Sequence, residues 1–246
     1  MEIKSAVILA GGKGTRLKEL TSAIPKPMVK VLAKPLVFYI IDHYVLFGVT
    51  KIYLLTGYKH SYILNYFKEH FNEISPNKFE YSKKSIIIEI CNTGVKTMTG
   101  GRVKKVIDKI DEQNFYLTYG DGISNVDLNK LRKFHYKHKP IVTITAVRPP
   151  ARFGSLNIKG TNVDSFGEKK QTSAGWINGG FFIVNKKIDS YLRSNEEVFE
   201  GYPLEKLAAT SNLAAFKHYD IWQCADTLRE IEILEEIVKE NVFFKK

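Results

Sequence analysis

Apolar positions along the chain follow two periods. Lys4 to Ala10 holds the unbroken run Val7-Ile8-Leu9, which predicts a strand buried on both faces. Pro35 to Phe47 is apolar and long enough for a helix, with Gly48 as its stop. Ile52 to Thr56 predicts a second strand. Lys59 to Phe71 predicts a helix with Ile63, Tyr66, Phe67 and His70 on one face. Ile86 to Cys91 predicts a third strand. From Arg102 to Ile110, Val103, Val106, Ile107 and Ile110 fall at i, i+3, i+4 and i+7, the spacing of one helix face. Phe115 to Tyr119 reads as a strand closed by Gly120-Asp121-Gly122. Asp127 fits the N-cap of a helix with Leu128, Leu131 and Phe134 inward, and Ile141 to Val147 is another strand.

Strand alternating with helix argues for an α/β fold, a Rossmann-like and mostly parallel sheet flanked by helices. The rhythm changes after Pro149-Pro150. Short strands are expected at Ser155 to Ile158, Val163 to Phe166 and Trp176 to Val184. Helices are expected near Lys186 to Ser194, at Pro203 to Thr210 and at Leu228 to Glu240. In the last, Leu228, Ile231, Leu234 and Val238 are spaced for burial. No repeat or linker interrupts the chain, so residues 1–246 are expected to form one domain with a smaller C-terminal, substrate-facing part. Open sheets of this kind bind ligands at the carboxyl ends of their strands. The loops after Ala10, Thr56 and Tyr119 are therefore the first candidates.

The 246 residues carry a formal charge of +11, with the lysines scattered singly and in pairs. Without a long basic run, the excess fits an enzyme for phosphorylated substrates better than a nucleic-acid binder, and no nucleic-acid partner is expected. The two cysteines, Cys91 and Cys224, form no CxxC pair, so reduced, buried thiols are expected. The first apolar run is too short for a signal segment or a membrane span, which favours a cytoplasmic protein with no membrane partner. His135 and His138 lie at i, i+3 with no carboxylate cluster around them, and a surface or partly packed role is expected.

Candidate chemistry starts at Leu9-Ala10-Gly11-Gly12-Lys13-Gly14-Thr15-Arg16, directly after the first strand. Three glycines permit a tight turn and a close ligand approach, successive N–H groups can nest an anion, and Lys13 and Arg16 add positive charge. The loop matches neither a Walker A nor a complete dinucleotide fingerprint, and could equally be a tight turn with exposed bases. Pro25-Lys26-Pro27-Met28 holds a lysine on a stiff segment, which suits a preorganised cation as well as a plain exposed loop. Tyr119-Gly120-Asp121-Gly122 offers a carboxylate with room around it, or simply an Asp-Gly turn. In Asp226-Thr227-Leu228-Arg229-Glu230 a capping box and a second metal carboxylate are compatible. Lys169 could hold a substrate phosphate and Glu168 and Asn178 hydroxyls, although Asn178-Gly179 could equally be a strand bulge. Arg152-Phe153-Gly154 and Thr99-Gly100-Gly101-Arg102 combine glycine for close approach with arginine for recognition.

Taken in order over residues 5 to about 230, these motifs resemble the sugar-nucleotide pyrophosphorylase family. Thr97 to Arg102 and Arg152-Phe153-Gly154 look most like its glucose-1-phosphate cytidylyltransferase branch. The resemblance implies a fold of the nucleotide-diphospho-sugar transferase type and a Mg²⁺-dependent transfer from CTP to a small phosphorylated acceptor. It implies that Leu9, Ala10, Gly11, Gly12, Gly14, Thr15 and Gly120 hold the nucleotide, with Lys13, Arg16 and Lys26 as catalytic cations. Thr99, Gly100, Gly101 and Arg102 would also hold the nucleotide, with Gly101 and Arg102 approaching the cytosine. Asp121 and Asp226 would bind Mg²⁺, and Gly154, Glu168, Lys169, Asn178 and Gly179 the acceptor. The chain departs from the family at Asn92-Thr93-Gly94, Lys170, Tyr202 and Ala225, and the Tyr81 to Ile90 segment is short. Since most of these surround the acceptor or an oligomer contact, a heptose phosphate, an alditol phosphate or a phosphoramidate stays open as acceptor, as does a homo-oligomer.

Overall fold

The computed structural model describes residues 2–81, 86–148, 155–167 and 175–240. Ten strands form one sheet. Its spatial order is Ile177–Asn178, Val142–Val147, Phe182–Asn185, Asn114–Tyr119, Ser5–Ala10, Lys51–Thr56, Ile86–Asn92, Lys78–Tyr81 and Asn72–Ser75, with Leu213–Lys217 added alongside Val142–Val147. Ser5–Ala10 pairs in parallel with both Asn114–Tyr119 and Lys51–Thr56, which in turn pairs in parallel with Ile86–Asn92. Antiparallel pairings make Lys78–Tyr81, Phe182–Asn185 and Ile177–Asn178 run against the rest. The chain therefore leaves the first strand at a point where the order reverses, the place such sheets use for ligands.

The continuous run of the first strand is buried on both faces, and its side chains divide by parity. Ala6, Ile8 and Ala10 join one core with Phe38, Ile41 and Tyr44 of helix Leu36–Leu46, Ile63 and Phe67 of helix His60–His70, and Leu128 and Leu131 of helix Leu128–His138. Val7 and Leu9 join the opposite core with Val103, Val106, Ile107 and Ile110. A third core packs helix Leu228–Lys239, through Ile231 and Leu234, against Leu17, Val29, Val31 and Tyr39 near the N-terminus.

Several expectations need correction. The predicted Arg102–Ile110 helix is an α-helix at Thr99–Lys104 followed by a 3₁₀ turn at Ile107–Lys109. Its four apolar residues are buried as their spacing required, because a tighter turn keeps them on the same side. The Trp176–Val184 run divides into Ile177–Asn178 and Phe182–Asn185, since Gly180 and Phe181 have φ of +74° and +43°. The Lys186–Ser194 segment is a 3₁₀ helix at Lys186–Tyr191. His70 is exposed and stacks on Tyr66, and Leu228 is exposed beside the Thr227 cap. His135 is buried, held by Thr143 and Asn114, rather than partly packed. Cys91 is buried but Cys224 only half-buried. Unpredicted are the hairpin Asn72–Ser75 with Lys78–Tyr81, turned at Asn77 (φ +61°), and the edge strand Leu213–Lys217.

Asp127 caps its helix as expected, Oδ1 accepting from the N–H groups of Asn129 and Lys130 at 2.9 Å each. Asp127→Ala is expected to lower unfolding stability by about 1 kcal/mol, read as a shift in the urea midpoint at constant slope.

Candidate active site

Four strand ends, at Ala10, Thr56, Asn92 and Tyr119, lie along one edge of the sheet. Their loops enclose a cleft of about 470 Å³ lined by Leu9 to Arg16, Lys26, Thr99, Arg102, Tyr119, Gly120, Asp121 and Asp226, and also by Val95, Thr97 and Met98. The sequence alone did not single out those last three for a ligand role.

The glycines of the first loop divide the work. Gly14 adopts φ +63° and leaves no room for a side chain against Thr21, whose hydroxyl donates to its carbonyl. Gly12 faces open space, so its backbone is free for a ligand to approach. Gly11 lies on the Arg102 guanidinium, which a Cβ would meet at 2.2 Å. Lys13 and Thr15 are exposed at the mouth.

Lys26 starts a single 3₁₀ turn, Lys26–Met28, whose entry is fixed by Pro25 at φ −69°. Only 7 % of Lys26 is exposed. Its ammonium donates to Asp121 Oδ2 at 2.7 Å and to Asp226 Oδ1 at 2.5 Å. Arg16, exposed, donates to the other oxygen of Asp226 at 2.7 Å. Burial alone would pull the Lys26 pKa down, but the two carboxylates outweigh it and hold the pKa above its ordinary value. For Asp226 burial pushes upward, and Lys26 and Arg16 override it, keeping the carboxyl below the usual range. Lys26, Arg16 and Asp226 are thus charged at neutral pH.

A short ribbon brings the two carboxylates together. Gly122–Ser124 pairs antiparallel with Trp222–Cys224, and the Ala225 N–H donates to the Asp121 carbonyl at 2.9 Å. Asp121 and Asp226 therefore leave the same end of two paired strands. Thr227 caps the following helix by accepting from the Glu230 N–H at 3.2 Å. The reciprocal bond of the box is displaced by one residue: Glu230 Oε2 accepts from the N–H of Asp226 rather than of Thr227. The cap thereby sets the backbone from which Asp226 reaches the cleft. Two carboxylates sharing one cation also form an oxygen donor set of the kind a divalent ion takes. Cys224, Asp226 and Glu230 offer three ligand atoms within 4.8 Å of one another. Burial, reinforced by Glu230 and Asp226, pushes the Cys224 thiol up to about 12, so without a metal it is protonated at neutral pH.

The Thr99–Arg102 segment is divided between the cleft and the interior. Arg102 is 4 % exposed and spends its guanidinium inside the protein, on the carbonyls of Thr56 at 3.0 Å and Gly11 at 2.9 Å and on the Thr93 hydroxyl. Gly100 and Gly101 turn from the cleft and donate to the Glu197 carbonyl, and a Cβ on Gly101 would lie 2.4 Å from the Asn195 oxygen. These glycines serve packing, while Thr99 and Arg102 reach the cleft. Gly120 donates to the Leu9 carbonyl at 2.9 Å and ties the second loop to the first.

Asn178 is joined to the cleft through Tyr119: its amide donates to the tyrosine oxygen at 2.8 Å, and its own oxygen accepts from the Gly180 N–H. Gly179 packs against Val147 and accepts from the Trp222 indole at 2.7 Å. Gly154, Glu168 and Lys169 lie outside the described residues, as does Arg152.

Residues 5–222 match the model of a family described as Nucleotidyl transferase. The chain belongs to that family. This nucleotidyltransferase is 39 % identical over 241 residues to a glucose-1-phosphate cytidylyltransferase of Salmonella typhimurium, covering 94 % of each chain. It is 38 % identical over 186 residues to a D-glycero-alpha-D-manno-heptose 1-phosphate guanylyltransferase of Aneurinibacillus thermoaerophilus, covering 74 % of this chain and 75 % of that one. The crystal structure of HddC from Yersinia pseudotuberculosis superposes with a TM-score of 0.70 at 29 % identity, covering 96 % of this chain and all of the other. No helix among the described residues of this nucleotidyltransferase is long and apolar enough to cross a membrane.

Proposed function

We propose that this nucleotidyltransferase moves CMP from CTP to a sugar 1-phosphate, glucose 1-phosphate first among candidates, and releases pyrophosphate. The observation that carries the reading is the meeting of Lys26, Asp121 and Asp226 at the mouth of the glycine loop. The names of the similar cytidylyltransferases support the choice of base and acceptor.

In this reading an oxygen of the acceptor phosphate attacks the α-phosphorus in line. The new oxygen–phosphorus bond forms as the bond to the β-phosphate oxygen breaks, and pyrophosphate departs with that electron pair. The attacking phosphate is already anionic, so the protein supplies position and charge rather than a nucleophile. Backbone N–H groups from Gly11 to Thr15, with Lys13 and Arg16, hold the leaving phosphates. Lys26 neutralises charge at the α-phosphate. Arg102 props the loop from beneath through Gly11, and Thr99 and Gly120 flank the nucleotide. Asp121 and Asp226 would hold Mg²⁺, which supplies Lewis-acid charge neutralisation when bound. Lys26 spends two of its three donors on the carboxylates and Arg16 spends one of its five, so each keeps a donor for phosphate. Asn178, Gly179, Gly154, Glu168 and Lys169 form the proposed acceptor side.

The test is a matrix of nucleoside triphosphates and phosphorylated acceptors, with pyrophosphate release measured and products identified by mass. CTP with glucose 1-phosphate is expected to give CDP-glucose. Turnover only with a heptose, alditol or phosphoramidate acceptor would move the acceptor, and turnover only with GTP would move the base. CTP binding without pyrophosphate from any acceptor would overturn the enzymatic reading in favour of a regulatory nucleotide-binding module.

A further inference from the structure

Glu200 belongs to none of the motifs above, yet both of its carboxylate oxygens are committed to residues that line the cleft. Oε1 accepts from the Tyr119 hydroxyl at 2.5 Å and Oε2 from the Thr99 hydroxyl at 2.6 Å. Tyr119 and Thr99 sit on different elements, the end of the Asn114–Tyr119 strand and the start of the Thr99–Lys104 helix. Each hydroxyl oxygen also accepts a hydrogen bond: Tyr119 from the Asn178 amide at 2.8 Å, Thr99 from the Phe199 N–H at 2.9 Å. Asn178 is fixed in turn by the Gly180 N–H at 2.9 Å. The donors along both arms therefore point towards Glu200, and the directions are set because a carboxylate can only accept.

We propose that Glu200 is a positioning residue that locks the nucleotide wall, through Thr99, to the acceptor wall, through Tyr119 and Asn178. The inference rests on the reaction proposed above. A glutamine at 200 has the same shape but one donor end. If that end faced Tyr119, the tyrosine oxygen would meet two donors and its own proton would lose its acceptor. If it faced Thr99, the same conflict would arise there. Either way one hydroxyl loses its set direction, a cost of the size of an unmade hydrogen bond in a partly buried site.

The experiment measures steady-state constants for CTP and α-D-glucose 1-phosphate in the wild type and in Tyr119→Phe, Thr99→Val, Glu200→Gln and the pairs with Glu200→Gln, with a thermal midpoint for each. Tyr119→Phe is expected to raise the acceptor KM about tenfold and leave the CTP KM within about twofold, and Thr99→Val to do the reverse. Glu200→Gln should raise both, and adding Tyr119→Phe to it should cost less than Tyr119→Phe alone, the signature of a shared network. Additive effects, or single variants that shift both constants alike in proportion to a lost thermal midpoint, would reduce Glu200 to a fold-supporting role and overturn the proposal. An active wild type with unmoved constants in all variants would also overturn it. A wild type inert towards glucose 1-phosphate would overturn the acceptor assignment itself, and this inference with it.

Discussion

Lys26→Ala is expected to lower kcat by about 10²- to 10³-fold at saturating CTP and acceptor, the range for removing one preorganised charge-stabilising donor. The size follows from the lysine's support. Pro25 and Pro27 stiffen its backbone, and burial leaves its ammonium few places to go. Little positioning entropy then remains to be lost in the transition state. The same substitution leaves Asp121 and Asp226 facing each other without the cation they now share. The variant should therefore be less stable than wild type in chelator and recover part of that loss when a divalent ion is added. Pyrophosphate release and thermal midpoints with and without metal check both parts. Turnover near the wild-type value would remove Lys26 from the chemistry.

The largest effect on stability is expected from acid. His43 and His135 are both buried, and burial lowers each pKa to about 4, against 6.5 for a free imidazole. Burial lowers His218 as well. The unfolded chain takes up these protons as pH falls through 6.5, whereas the folded chain does so only near 4. Stability is therefore full above about pH 6.5 and drains away between 6.5 and 4. A shift of this size corresponds to about 3 kcal/mol for each of the first two residues, a large part of a typical domain's total. Carboxylates held low in the folded state, Asp226 and Glu89 among them, act in the same direction at still lower pH. His43 shows why protonation is costly. Its Nε2–H donates to the Val126 carbonyl at 2.9 Å, and Nδ1 is buried without a partner among Tyr44, Phe47 and Phe181. Urea titrations from pH 7.5 to 4.5 should show a steep loss, and His43→Phe should make the pH dependence shallower while lowering stability at pH 7.5. A wild-type curve flat down to pH 5 would contradict the argument.

What the sequence reveals and what it hides differ in kind. The first strand is legible because burial on both faces leaves an unbroken apolar run, and the glycine loop because its composition has few other uses. Lys26 stands out through its flanking prolines. Asp121 and Asp226 are each readable as a turn or a cap, and Asp226 indeed precedes a cap. Only the pairing of Gly122–Ser124 with Trp222–Cys224 joins them, and three-residue strands leave no periodic trace. Arg102 hides part of its role for a related reason. Arginine beside glycines reads as a ligand contact, and it does line the cleft, but the main-chain carbonyls and the Thr93 hydroxyl it also holds are named by no residue pattern. Glu200 is silent because its meaning lies in two hydroxyls 101 and 81 residues distant along the chain. The hairpin at Asn72–Tyr81 did leave a signal, Pro76-Asn77, with Asn77 in the left-handed region its residue type tolerates.

The span between Lys26 and Asp226 has a consequence for synthesis. Two hundred positions separate the partners, and the last helix docks onto segments made at the beginning. While the ribosome is still adding the middle of the chain, the opening loop and its lysine exist without the acid that completes them. Chains released before Asp226 has been made would carry the opening loop and its lysine without that carboxylate, so the charge balance of the cleft is set late in translation.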